Sequence, residues 1–177
     1  MELVFPTIEH KNKAIDFKQE HFNYGEQSIH GGGGLSKIEI YEDWLEKIQL
    51  DINIIANEDK VPASVFFGVH NGKIVGIIQI RHCLNDWLYK TYGNIGYGIR
   101  PTERRKGYAT QMLALALIKC REFGMDKVLI SCDKDNIASA KTILKNGGML
   151  DNEFSDDDGM IIQRYWIDLT INKTYTI

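Results

Sequence analysis

Asn94-Ile95-Gly96-Tyr97-Gly98-Ile99-Arg100-Pro101-Thr102-Glu103-Arg104-Arg105-Lys106-Gly107-Tyr108-Ala109-Thr110, followed directly by Gln111-Met112-Leu113-Ala114-Leu115-Ala116-Leu117-Ile118, reads as strand, turn and helix. Pro101 has no backbone N–H and pushes Arg100 out of helical geometry, so the strand should end there, while Gly107 lets a ligand approach the backbone where the helix begins. A helix start leaves N–H groups unpaired and turns the positive end of the macrodipole outward, and Arg104, Arg105 and Lys106 stand on that same turn. The pattern predicts a phosphate site. A solvated basic run capping a surface helix is the plainer alternative, but the rest of the chain is acidic, so the positive charge is concentrated where donors already converge.

Upstream of this stretch, residues 65–69 and 74–82 are β-rich runs joined through Asn71-Gly72, whose tolerance of positive φ suits a two-residue hairpin turn. With the strand at 94–100 they make an antiparallel meander. Downstream, the helix at 107–123 stops at Gly124 and a strand follows at 127–132, which implies a parallel strand–helix–strand step at the predicted phosphate turn. A short helix at 137–145 is capped by Asn136 and ended by Gly147-Gly148, and a last hairpin runs through Asp156-Asp157-Asp158-Gly159 between 149–154 and 160–169.

The first third is less distinctive. A strand at 3–5 and an amphipathic helix at 9–22 precede a loop at 24–35 that holds four consecutive glycines, Gly31 to Gly34, expected to be flexible and suited to closing over a site. No strand precedes those glycines and no Gly-Lys-Ser/Thr follows, so a nucleotide phosphate loop and a phosphotransferase fit poorly. Ile40, Trp44, Leu45 and Ile48 then recur at helical spacing, in a helix reaching about residue 54 with Trp44 in the core. The expected fold class is α/β (α+β), a mixed and mostly antiparallel central sheet flanked by helices with one parallel step, in a single domain over residues 1–177.

The 177 residues are 44% hydrophobic and 25% charged, enough for one sizeable core. Lys plus Arg number 21 against 24 Asp plus Glu, a net −3 that gives no electrostatic reason to expect nucleic acid or an anionic membrane. Cys83, Cys120 and Cys132 lack Cys-x-x-Cys spacing and lie in apolar or strand-like surroundings, which reads as reduced core thiols, no metal site and a reducing cytoplasm. No apolar run nears the roughly 18 residues of a membrane span, and the N-terminus lacks the pattern of a signal peptide.

Arg104-x-x-Gly107-x-Ala109 resembles the acetyl-CoA motif of the GNAT superfamily of N-acetyltransferases: Arg or Gln, two residues, Gly, one residue, then Gly or Ala. The resemblance implies that the turn from Arg104 through Arg105, Lys106, Gly107, Tyr108 and Ala109 to Thr110 holds the CoA pyrophosphate. It also implies that the strand at Tyr97, Gly98 and Ile99 lies along the pantetheine arm and supplies an oxyanion donor, with Gly96 and Gly98 allowing a bulge. Asn136-x-x-Ser139 matches the family's second motif, in which the asparagine contacts pantetheine. Many members carry a tyrosine about seven residues after it as acid toward the departing thiolate; Ile143 stands there, followed by Leu144.

That departure leaves Tyr97, His82 and Asn94 as the polar candidates for the proton transfers, each with a structural alternative, and Cys132 as a packed thiol rather than a nucleophile. The expected function is acetyl-CoA-dependent N-acetylation of a primary amine, on a small molecule or a protein, by direct attack in a ternary complex. The alternative is a noncatalytic acyl-CoA-binding module with the same fold, and a homodimer stays open. Glu26, the acidic helix after the glycine loop and the 156–158 turn are expected to favour cationic acceptors.

Overall fold

The computed structural model describes residues 1–156 and 158–170, so Asp157 of the expected acidic turn lies outside the described residues. In chain order the elements are β1 (Glu2–Val4), α1 (Lys11–Asn23), α2 (Tyr41–Asp51), β2 (Ala63–His70), β3 (Lys73–Arg81), α3 (Asp86–Lys90), β4 (Ile95–Ile99), α4 (Tyr108–Glu122), β5 (Lys127–Asp133), α5 (Ile137–Lys145), β6 (Met149–Ser155) and β7 (Ile161–Asp168). Most match the sequence reading. Asn71 and Gly72 at φ 49° and 74° form the left-handed pair that closes the β2–β3 hairpin.

The strands form two antiparallel sheets, β1-β2-β3-β4 and β5-β7-β6. The strand–helix–strand step is present, but β4 and β5 are not joined by a ladder. They meet only at one end, where Asn94 N–H donates to Leu129 O (2.7 Å) and Asn94 Oδ1 accepts from Leu129 N–H (2.9 Å). An added Cβ at Gly93 would stand 2.3 Å from Leu129 O, so this join needs a glycine. From it the two sheets part, leaving the edge of β4 that faces away from β3 without a neighbouring strand among the described residues.

One core lies between α4, α5 and both sheets; the other packs α1 and α2 on the opposite face of the first sheet. Helix α4 buries Met112, Leu113, Ala116, Leu117 and Cys120, a stripe at helical spacing in which each leucine contributes about 1.5–3 kcal/mol. Gly68 and Gly76 face each other across β2 and β3, and the Met112 sulfur fills the space their missing side chains leave. Trp44 is fully buried in the second core. The five-residue α3, capped by Asn85 Oδ1 on Leu88 N–H, is too short to show a period and was not legible beforehand.

Candidate acyl-transfer site

The β3–β4 register runs without a break from Ile80↔Ile95 to Gly76↔Ile99, so Gly96 and Gly98 make no bulge. Arg81 N–H donates to Asn94 O, and Arg100 N–H to Val75 O. By the alternation of an antiparallel ladder, the even-numbered residues therefore bond to β3, and the N–H groups of Tyr97 and Ile99 point into the gap beside β5. The glycines serve another purpose: an added Cβ on Gly98 would lie 2.9 Å from His30 O, and one on Gly31 would lie 2.2 Å from Gly96 O. The glycine loop lies backbone-to-backbone on β4.

That loop is packed rather than loose. Ile29 and Leu35 are buried at its ends, Gly33 abuts Val65 and Ile48, and the buried Trp44 indole donates to Gly32 O (2.9 Å). Its glycines provide close approach and positive φ at Gly31, Gly33 and Gly34. Where a flexible lid was expected, the structure has a packed wall.

At the far end of the gap, α4 begins at Gly107 (φ 83°) with no side-chain cap, and an added Cβ there would meet nothing within 4 Å. The first-turn N–H groups of Gly107, Tyr108, Ala109 and Thr110 thus have no side-chain cap, with the helix dipole behind them. Arg105 is held at φ 63° and is exposed without a partner among the described residues. Arg104 is not free: it bridges Glu26 (Nη1–Oε1 2.6 Å, Nη2–Oε2 2.9 Å) and donates from Nε to Ile99 O (3.1 Å). Lys106 pairs with Glu103, which Lys73 also holds; these two lysines keep the Glu103 carboxyl down at about 2.

A carboxylate rail from the α1 side clamps this turn. Buried Arg100 reaches Asp16 (2.9 Å) and Glu20 (2.8 Å), Glu20 Oε1 accepts from both Thr102 N–H and Oγ1, and Glu26 holds Arg104. Glu26 also accepts His21 Nδ1 at 2.7 Å, and this ring is almost wholly buried, which lowers its pKa against the pull of Glu26. Hydrogen bonds from Arg104 hold Glu26 itself below the usual carboxylate range. Glu26 is therefore occupied, and the expected acidic lure for cationic acceptors is missing at that point.

Tyr97 projects from β4 into the gap and meets Ser139 on α5, hydroxyl to Oγ at 2.8 Å. Burial is the main cause that pushes its phenol up to about 12. Asn136 Oδ1 caps α5 on Ser139 N–H (3.0 Å), leaving its Nδ2 donors available, while Asn146 Nδ2 ties α5 to Thr110 O at the start of α4 (3.2 Å). Hydrogen bonds thus link Tyr97 through Ser139 to Asn136 at the start of α5, and Asn146 at its end to the α4 turn. Ile143 is fully buried in the core behind them, and burial raises the Cys132 thiol, with no histidine beside it.

His82 and Asn94 are not joined to this network, because both side chains are bonded elsewhere. His82 bonds Ser64 Oγ (2.9 Å) and stacks on Phe123 (4.4 Å) just past the end of α4, a 15-residue helix that spans about 22 Å from the turn. Asn94 spends Oδ1 on Leu129 and Nδ2 on Arg81 O (3.2 Å), so its amide is the clasp between the sheets. Among the described residues no group of His, Cys, Asp or Glu could hold a metal ion, and no helix is long and apolar enough to cross a membrane.

A search of curated protein sequences finds no match. Solved structures match over nearly the whole chain at low identity. YncA of Salmonella typhimurium with acetyl-CoA aligns at TM-score 0.65 and 13% identity, covering 98% of this chain and 95% of that one. RimL, a ribosomal L7/L12 α-N-protein acetyltransferase in complex with coenzyme A, aligns at 0.69 and 14%, covering 94% and 92%. The spermidine N-acetyltransferase SpeG of Vibrio cholerae aligns at 0.67 and 12%, covering 96% of each. These likenesses concern the fold, and the sequence model of the acetyltransferase (GNAT) domain matches residues 13–149, so the chain belongs to the GNAT acetyltransferase family.

Proposed function

We propose that this protein transfers an acetyl group from acetyl-CoA to a primary amine by direct attack in a ternary complex. The observation that carries the reading is the gap between β4 and β5, closed by Asn94 at one end, open to the uncapped start of α4 at the other, with the Tyr97 hydroxyl inside it. Acetyl-CoA supplies the activated acyl thioester. Phosphates are held by the N–H groups of Gly107 to Thr110 with Arg105 and Lys106 alongside, and the pantetheine arm runs along β4 past Gly98, held by the free-edge groups of Ile99 and by Asn136.

In this reading the Tyr97 and Ile99 N–H groups, turned into the gap, are the donors to the oxyanion. The Tyr97 phenol, at about 12, is protonated at neutral pH and a far weaker acid than a thiol near 8.5, so it serves the leaving sulfur as a hydrogen-bond donor. The proton lost by the attacking amine balances the thiolate through solvent. This assigns to a β4 side chain the support that the Ile143 position cannot give. A covalent route through Cys132 is disfavoured because a buried thiol with a raised pKa and no base is a poor nucleophile.

The test is release of free CoA thiol with a panel of amines at saturating acetyl-CoA, together with intact-protein mass spectrometry. Amine-dependent thiol release without an acetylated protein supports the reading; a stoichiometric acetyl adduct on Cys132 would overturn direct transfer.

A further inference from the structure

Because α4, α5 and the Tyr97 side chain occupy one face of the gap, an amine must reach it from the other. On that face the glycine loop covers the β4 side, through His30 and Gly31 against Gly98 and Gly96. The open side is built by β5, β7 and the segment around α3. Val128, Ile130 and Cys132 point into the α4 core, so Leu129 and Ser131 point the opposite way, together with their cross-strand partners Trp166 and Arg164. Arg81 belongs to the same face: it follows Ile77 and Gln79 in the β3 alternation, and Gln79 pairs with Gly96 under the loop.

Both arginines are fixed in place and neither has a carboxylate partner among the described residues. Arg81 donates from Nη1 to Gly93 O (3.0 Å) and from Nη2 to Gln79 Oε1 (3.3 Å), and lies 5.9 Å from the Tyr92 ring. Arg164 donates from Nε to Asn152 Oδ1 (2.8 Å) and from Nη1 to Tyr89 O (3.0 Å), and lies over both Tyr89 (5.2 Å) and Phe154 (5.1 Å). They grip the two ends of one segment, Tyr89 to Gly93, and more than half of a guanidinium's donors remain on each. Beside Arg164, the Ser131 hydroxyl is out of solvent with no partner among the described residues. By contrast, Arg100 and Arg104 are neutralised by Asp16, Glu20 and Glu26.

We infer that Arg81, Arg164 and Ser131 form an anion subsite on the acceptor face, and that the amine acetylated here carries a carboxylate or a phosphate. The inference rests on the acetyltransferase reading above and reverses the cationic preference that the acidic segments suggested. Fixed arginines with spare planar donors suit an oxyanion, the tyrosine rings lie beside them and help to hold them in place, and the Ser131 hydroxyl adds a donor. A free ammonium polyamine would meet two uncompensated positive charges instead.

The test uses the full chain loaded with CoA and calorimetric titration with product-like pairs that differ only in the anion: N-acetylmethionine against its amide, and N-acetyl-O-phosphoethanolamine against N-acetylethanolamine. An anionic member should bind at least about tenfold more tightly than its neutral partner, and which pair shows the gap separates carboxylate from phosphate. Arg164→Gln and Arg81→Gln should each shrink that gap to about threefold or less with CoA affinity unchanged, while Arg164→Lys retains part of it. Neutral members binding as tightly, no anionic member binding, or undiminished discrimination in both glutamine variants overturns the subsite. These outcomes are read from binding alone, whereas loss of CoA binding or of amine-dependent thiol release strikes the acetyltransferase reading.

Discussion

Gly31→Ala distinguishes a packed glycine loop from a flexible one. Gly31 sits at φ +72°, and an alanine Cβ there would lie 2.2 Å from Gly96 O, 2.6 Å from Gly96 C and 2.7 Å from Tyr97 Cα. All three are backbone atoms of β4, so no side chain can swing aside. Left-handed backbone costs a non-glycine residue about 1–2 kcal/mol, and overpacking against a fixed neighbour about 1–3 kcal/mol, for a loss of roughly 2–5 kcal/mol. In a chain of this size each kcal/mol moves the melting temperature by about 2–4 °C, which gives a drop of roughly 4–20 °C. Gly25→Ala is the control: φ is +80° but nothing lies within 4 Å, so only the first cost of about 1–2 kcal/mol applies. Thermal and urea melts of the two variants side by side decide it. If Gly31→Ala is no less stable than Gly25→Ala, the loop does not rest on β4 and the wall assigned to it is wrong.

Gly107→Trp should abolish measurable acetyl-CoA binding by calorimetry, because it adds a bulky side chain to a left-handed position in the space left for phosphate; unchanged affinity would remove the turn from the cofactor site. Tyr97→Phe should lower kcat on the order of 10²-fold with acetyl-CoA affinity unchanged, since one preorganised donor is lost; an unaltered kcat would return the role to solvent. Acid should destabilise the fold from about pH 6.5 downward. Burial lowers the pKa of His21 and of His82 below that unfolded value, so the unfolded state binds more protons in this window and stability rises with pH. For Glu20, burial opposes and the bonds from Thr102 and Arg100 prevail to lower its pKa, adding a second loss below the ordinary carboxylate range. Melts between pH 8 and pH 4 that were flat or rose on acidification would refute the assignment.

Local chemistry explains what was legible in the sequence. Asn71-Gly72, Pro101, Gly107, Gly124 and Asn136 each act within a few residues, and the turn, helix start, helix end and cap they predict are present. The α4 stripe shows its period because one face is buried along its whole length. The misreadings are all tertiary. Four glycines look the same in sequence whether they are free or pressed against another backbone, and only Gly96 and Gly98 on β4, lacking side chains at matched positions, hint at the second. Asn94 and His82 were legible as polar residues at strand ends, but not as the clasp to Leu129 or the partner of Ser64. Arg81 and Arg164, 83 positions apart and in separate sheets, carry no joint signal at all.

The clamp on the 100–104 turn bears on how the two halves of the reaction are coupled. Asp16, Glu20 and Glu26 belong to α1 and the loop after it, while their partners Arg100, Thr102 and Arg104 build the turn that the proposal gives to the cofactor. Arg100 is nearly inaccessible and held also by Ile74 O, so that part of the clamp is the buried one. Arg104 and Glu26 are partly exposed, a pair worth about 0.2–1 kcal/mol, and a phosphate on the neighbouring N–H groups competes for the same guanidinium on comparable terms. Exchange of Glu26 for phosphate would leave Glu26 with His21 alone, a ring whose other nitrogen has no partner among the described residues. The sensitive element of the clamp is therefore the Arg104–Glu26–His21 chain rather than the glycines, and any conformational response to cofactor should start from Glu26 and spread along α1, not from the loop that rests on β4.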